Sequence, residues 1–340
     1  MTNRYLKWLN GTASWWWNDS AVLQDMDQAI ENGATGVTTN PVLVKRSLYA
    51  APDFWRPYIQ GAKGLRGDEK AEAIIRLITV EIANKFLPVY EATNGAQGYV
   101  CAQVNPGFQG NAEAMVTMGL RLADWAPNIA VKLPVTAAGL EAIEELSALG
   151  ITTVATVSFT VPQAVEAARR QQLGIERARA AGKKPGAAFS VIMVGRLDDY
   201  LRDVALDRKA NVFESDIIQS GTACIKRAYS ICKEQGYESM LMPAGMRGGY
   251  HTVALSGAKM SMSISANIQV ELQEETGFNE HIDDPVEKEV IDRLMAIPDF
   301  ARAYKPDGMS PEEFICYGLT QRTLSQFIEA GWAPISEFEV

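Results

Sequence analysis

Lys132 lies inside the apolar run Asn128-Ile129-Ala130-Val131-Lys132-Leu133-Pro134-Val135. A run of this length, rich in Ile and Val and bounded by Pro127 and Pro134, reads as a buried strand. Burial strips an ammonium of its hydration and so favours the neutral amine. A neutral amine attacks a carbonyl carbon to give a Schiff base. The alternative is a lysine whose head reaches solvent from the strand end or pairs with a carboxylate. Its rivals are weaker: Lys85 falls in a helical pattern, Lys183 and Lys184 in a Gly/Pro loop, and Lys259 at the entry of a strand.

Asp19 follows the run Trp15-Trp16-Trp17-Asn18 and precedes a helical pattern over 22–30. It reads either as a helix N-cap, as a carboxylate general base beside the lysine, or as both. Thr39 and Asn40 close the run Gly36-Val37-Thr38-Thr39-Asn40-Pro41, where Asx-Pro signals a turn and could also aim an amide at substrate hydroxyls. Arg196 and Arg247 each follow a strand and lie beside glycines, Gly195 and Gly245. Two guanidinium forks suit a phosphate or another oxyanion; the alternative is pairing with a nearby carboxylate such as Asp198 or Asp199.

The elements that would hold these residues alternate. Strands are expected at 14–17, 36–39, 98–104, 129–133, 152–158, 188–194, 239–242 and 260–265, with helices between them, for example 137–149 and 161–170. This is the count of a single (β/α)8 TIM barrel spanning 1–340, with extra helices after strand 2 and a C-terminal helical extension, 284–340, packed on the barrel or on a neighbouring subunit. A doubly wound open sheet is the competing architecture, weakened by the lack of a GxGxxG turn after the first strand. In a barrel, active residues lie at the C-terminal strand ends. Asp19, Asn40, Gln103, Lys132, Thr156, Arg196 and Arg247 all fall there.

The net charge of −9 argues against a nucleic-acid partner but not against a small anion held by local arginines. The four cysteines show no CxxC and, with no signal-like N-terminus, fit a reducing cytoplasm. No apolar stretch reaches membrane-spanning length. The two histidines, His251 and His281, lack metal-ligand spacing. The 47% apolar composition and the C-terminal helices suit a homo-oligomer. Alternation sends Trp15 and Trp17 to one face of their strand and Trp16 to the other.

Together, Gly36-Val-Thr-Thr-Asn-Pro41, Val131-Lys-Leu-Pro-Val-Thr136 with Gly139-Leu-Glu-Ala-Ile143, Gly150-Ile-Thr-Thr-Val-Ala-Thr156 and Val194-Gly-Arg-Leu-Asp198 resemble the transaldolase and fructose-6-phosphate aldolase family of Schiff-base-forming barrels. The resemblance implies Lys132 as the Schiff-base lysine and Asp19, in preference to Asn18, as the proton-transferring aspartate. Asn40 would orient substrate, Thr156 would position a water, and Arg196 and Arg247 would bind phosphate. Gln103 resembles the position that is glutamate in typical transaldolases and glutamine in the aldolase branch.

Three residues depart from the family pattern. Met193 replaces an aromatic that is tyrosine in the hydrolytic aldolases, which points to transfer. Gly245 replaces a serine two residues before Arg247, which leaves room for a sulfonate or a differently placed phosphate. Val191 replaces a second serine, which a one-residue offset to Ser190 would restore. The implied reaction moves a three-carbon dihydroxyacetone unit from an anionic ketose to an aldehyde acceptor, with no metal or organic cofactor. The alternatives are an aldolase that frees dihydroxyacetone and a non-catalytic sugar-phosphate-binding barrel.

Overall fold

The structure, a computed structural model, describes residues 3–340. Eight parallel strands form its centre: β1 (Trp15–Asp19), β2 (Gly36–Thr38), β3 (Tyr99–Gln103), β4 (Ile129–Pro134), β5 (Thr153–Thr156), β6 (Ala188–Ile192), β7 (Met240–Pro243) and β8 (Ser261–Ile264). Each pairs with the next in sequence order from β1 to β7, and β8 pairs with β1. A bridge between Leu241 and Met260 joins β7 to the entry of β8 and closes the ring. This is the (β/α)8 barrel expected from the alternation of strands and helices. Each expected strand is present, with differences confined to its ends.

The labelled helices are α1 (Arg4–Leu9), α2 (Met26–Glu31), α3 (Pro41–Ala50), α4 (Gly67–Ala92), α5 (Ala112–Ala123), α6 (Ala137–Ala148), α7 (Val161–Ala180), α8 (Val194–Arg208), α9 (Ser220–Gln235), α10 (Gly249–Leu255), α11 (Ala266–Glu271), α12 (Lys288–Leu294), α13 (Pro298–Tyr304), α14 (Gly318–Phe327) and α15 (Ala333–Glu337). Side-chain caps make the turns that enter three of them short. Asn40 accepts from Leu43 N at 3.0 Å with Pro41 in the first turn of α3, Thr136 from Gly139 N at 3.0 Å, and Thr160 from Gln163 N at 3.2 Å. Asp19, by contrast, is not a cap. It ends β1, and α2 begins only after a 3-10 turn at Leu23–Asp25.

Paired residues in neighbouring parallel strands share a face, so the register fixes what points inward. Trp17 pairs with Ser263, Asp19 with Thr38, Gln103 with Lys132, Lys132 with Val154, and Val154 with Phe189. Near the strand entries, Trp17 packs edge-on against Phe189 with centroids 4.8 Å apart and stacks on Tyr99 at 6.5 Å. Gly36 makes room for the indole, because a Cβ there would lie 2.6 Å from Trp17 Cδ2. The expected alternation of the tryptophans therefore holds: Trp15 and Trp17 face in, and Trp16 packs outward into the core.

The segment 284–340 lies along this same barrel. Trp332 Nε1 donates to Asp68 Oδ1 at 2.8 Å beside α4, and Tyr49 OH at the end of α3 donates to Pro334 O at 2.9 Å. Among the described residues, no helix is long and apolar enough to cross a membrane.

Candidate active site

Beyond the aromatic layer, at the C-terminal strand ends, opens a cavity of about 770 Å³. Asp19, Asn40, Lys132, Thr156, Arg196 and Arg247 all line it. Lys132 is buried, and among the described residues its Nζ donates only to Thr39 O, at 3.3 Å. Asp19 Oδ1 accepts from Thr38 Oγ1 at 2.8 Å. Thr38 has spent its proton on Asp19, so Ser263 is the donor in the 2.6 Å contact between the two hydroxyls. A short relay thus holds the carboxylate in place at the cavity.

Gln103 is buried on the strand next to Lys132, at its paired position, and its Oε1 has no hydrogen-bond partner among the described residues. The Thr156 hydroxyl lacks one too. Buried polar atoms are nearly always paired, so two orphans flanking one lysine call for a polar guest such as water. The turn after Thr156 is strained: Val157 has φ 54°, a conformation that costs a β-branched residue of order 1–3 kcal/mol. Gln163 holds it, accepting from Phe159 N at 3.0 Å and donating to Val157 O at 3.3 Å. A competing nucleophile is silenced nearby, since burial pushes the Cys101 thiol up to about 11 against the pull of Lys132.

The wall that follows β6 and β7 is basic. Arg196, at the start of α8, donates from Nη1 to Gln326 Oε1 of α14 at 2.6 Å and lies 5.8 Å from the Phe327 ring centroid. Burial, with the like charge of Arg247, pulls the Arg196 guanidinium down to about 10. Arg247 is braced by Asp199 Oδ2 at 2.7 Å and by the carbonyl of Gly245 at 2.8 Å. Arg46 and Arg322 reach the same cavity, so four arginines and Lys132 face two carboxylates, Asp19 and Asp199. This pole is cationic in a chain of net charge −9. Pairing with a nearby carboxylate, weighed above for both arginines, applies to Arg247 alone.

A family model described as transaldolase/fructose-6-phosphate aldolase matches residues 16–314. The chain belongs to this family. It is 33% identical over 171 residues to transaldolase 1 of Streptomyces avermitilis, covering 48% of this chain and 44% of the relative. It is 28% identical over 246 residues to a transaldolase of Mycobacterium tuberculosis, covering 69% and 62%. A transaldolase of Thiobacillus denitrificans is 30% identical over 179 residues, covering 49% and 48%. The chain thus spans about half to three-fifths of the length of these curated relatives.

Within this transaldolase and aldolase family, the expected substrate contacts do not all reach the cavity. Ser190 pairs with Ala155 and so faces outward; its hydroxyl donates to Ala164 O of α7 at 2.8 Å. Val191 is the inward residue, and the register rules out the one-residue offset to Ser190. The Thr39 hydroxyl is likewise turned away, donating to Cys101 O at 2.7 Å, while the residue's carbonyl receives Lys132. Asn18 bonds Gln269 Nε2 at 2.8 Å outside the strand ring, which leaves Asp19 as the inward carboxylate. Gly245 has φ +57°, where any side chain is strained, so the missing serine goes with this loop conformation.

Several residues of the cavity were not singled out from the sequence. Ser263 could have been, from the alternation in Ser261-Met262-Ser263-Ile264. Gln326 and Arg322 could not, because only the return of α14 over the barrel mouth brings them there.

Proposed function

We propose that the chain transfers a dihydroxyacetone unit between sugars through a Schiff base on Lys132. The observation that carries this reading is a buried, sparsely bonded lysine sharing one cavity with an inward carboxylate and a cluster of arginines.

The neutral amine of Lys132 adds to C2 of a ketose, and loss of water leaves an iminium. Asp19 takes the C4 hydroxyl proton as the C3–C4 bond breaks. The bond's electrons move into the iminium, giving an enamine on Lys132 and a free aldehyde. A second aldehyde then enters, and the steps reverse. Gln103 and Thr156, with their unpaired polar atoms, hold the water that carries protons during imine formation and breakdown. Arg196 and Arg247 hold the substrate's phosphate or similar anion at the other pole, and that binding energy orients the reacting carbons. The substrates are small ketoses and aldoses, and the cytoplasm is their expected compartment.

Transfer is favoured over aldolase release by Met193, which lines the cavity where the hydrolytic members carry tyrosine. A thioether cannot activate water against the enamine. Gln103 favours release, so the product decides. Borohydride with fructose 6-phosphate, followed by peptide mass spectrometry, should give a reduced three-carbon adduct on Lys132. An adduct with dihydroxyacetone but none with fructose 6-phosphate would assign a different donor. No adduct with either would leave a binding barrel without this chemistry.

A further inference from the structure

Behind the arginine wall lies a fully buried pair, Asp198 and His251, neither of which lines the cavity. Asp198 sits two residues after Arg196 on α8, and His251 four residues after Arg247 on α10. Asp198 Oδ2 is 2.9 Å from His251 Nε2, and Asp198 Oδ1 accepts from Gly221 N of α9 at 2.8 Å. On the other side of the ring, Arg247 N donates to His251 Nδ1 at 3.3 Å. A backbone N–H can only donate, so Nδ1 carries the lone pair and the imidazole proton sits on Nε2, given to Asp198. One chain of hydrogen bonds therefore ties the backbone of Arg247 through His251 and Asp198 to the start of α9. The two arginine-bearing segments also touch directly: a Cβ on Gly195 would lie 2.6 Å from Gly245 O and 2.9 Å from Arg247 N.

We propose that Asp198 and His251 are positioning residues for the anion site. By fixing the tautomer of His251, Asp198 sets the backbone of Arg247 against Arg196, and so sets affinity for a phosphate-like group. This rests on the reading that Arg196 and Arg247 hold the substrate's anion.

The decisive variant is Asp198→Asn. The new amide can keep its oxygen on Gly221 N, but its NH2 then points at Nε2 and drives the imidazole proton to Nδ1. That proton meets the Arg247 N–H donor to donor, and the loop loses its anchor. Calorimetric titration with inorganic phosphate should show affinity reduced about tenfold, the worth of one hydrogen bond to a charged site. Borohydride trapping of dihydroxyacetone on Lys132 should be unchanged, which separates positioning from loss of fold.

Because the chain has only two histidines, 15N spectra of the wild-type protein read the tautomer directly, whether or not the variant folds. His281, part-exposed and bonded through Nδ1 to Asp284, gives the one other imidazole signal to assign. The Nε2–H form supports the proposal, and the Nδ1–H form overturns it. Wild-type phosphate affinity in Asp198→Asn overturns it as well, leaving the anion reading intact. If the wild type itself binds no phosphate, the anion reading fails and this proposal with it.

Discussion

The two walls of the cavity are built on opposite terms. Around Lys132 the polar atoms are short of partners among the described residues: Nζ has one carbonyl, and Gln103 Oε1 and the Thr156 hydroxyl have none. Both Arg196 and Arg247 are braced, by Gln326, by Asp199 or by a loop carbonyl. On the proposed mechanism Lys132 forms and breaks a covalent bond in each turnover, and such a group cannot also be fixed by strong contacts. An anchor that must hold a leaving or arriving sugar at a set distance gains from being fixed beforehand. On that reading one wall is under-bonded where the chemistry would move, and the other is braced where the substrate would be measured.

Removing the reacting group should produce the largest break between the walls. Lys132→Met should lower turnover at least ~10³-fold and abolish the borohydride adduct while phosphate binding persists. Removing the anchor should have the opposite signature. Arg247→Ala should raise KM for a phosphorylated ketose about 10–100-fold, the worth of a lost charge-assisted contact, and leave trapping of dihydroxyacetone nearly intact. If both variants lost trapping and binding alike in steady-state and adduct assays, the division of labour would be wrong.

Arg196 adds a pH dependence whose sign follows from its value near 10, which lies below the ordinary guanidinium range. Anion binding needs the charged form, so phosphate affinity should fall as pH rises through about 10. The depressed value also means that the fold disfavours this charge, a cost fully present below about pH 10. Arg196→Met should therefore raise the melting temperature while weakening phosphate binding, which calorimetry at pH 7 would read.

Thr156→Val makes a finer test. It replaces an unpartnered buried hydroxyl with a methyl group, so stability should rise by about 1 kcal/mol while kcat falls roughly tenfold as the water loses its holder. The smallest effect belongs to Ser190→Ala, which should cost about 1 kcal/mol in denaturant titration and leave the rate within ~2-fold. A KM change there would put the Ser190 hydroxyl back at the substrate.

The barrel was legible because its strands are short apolar runs with turn residues at both ends, and period-two alternation says which residues share a face. The inward set of Asp19, Gln103, Lys132 and Thr156 followed from the strand ends. Ser190 and Thr39 did not, because each lies one residue away from an inward position and only the paired register tells the faces apart. Asp19 was ambiguous for a related reason: a strand end and a helix cap prefer the same residue, and the intervening 3-10 turn decided it. Gln326, Arg322 and the Asp198–His251 pair were out of reach, since each depends on contacts between segments 53–130 residues apart.

The aromatic layer of Trp17, Tyr99 and Phe189 is buried and fills the barrel beneath the cavity, so the C-terminal mouth serves as its doorway. On the proposed mechanism, the aldehyde released after bond cleavage would go out by the route that the next sugar takes in. On that mechanism departure precedes arrival. The double-reciprocal plots of a transfer run in such a dead-end vessel should be parallel lines, the mark of a ping-pong order imposed by the wall opposite the door.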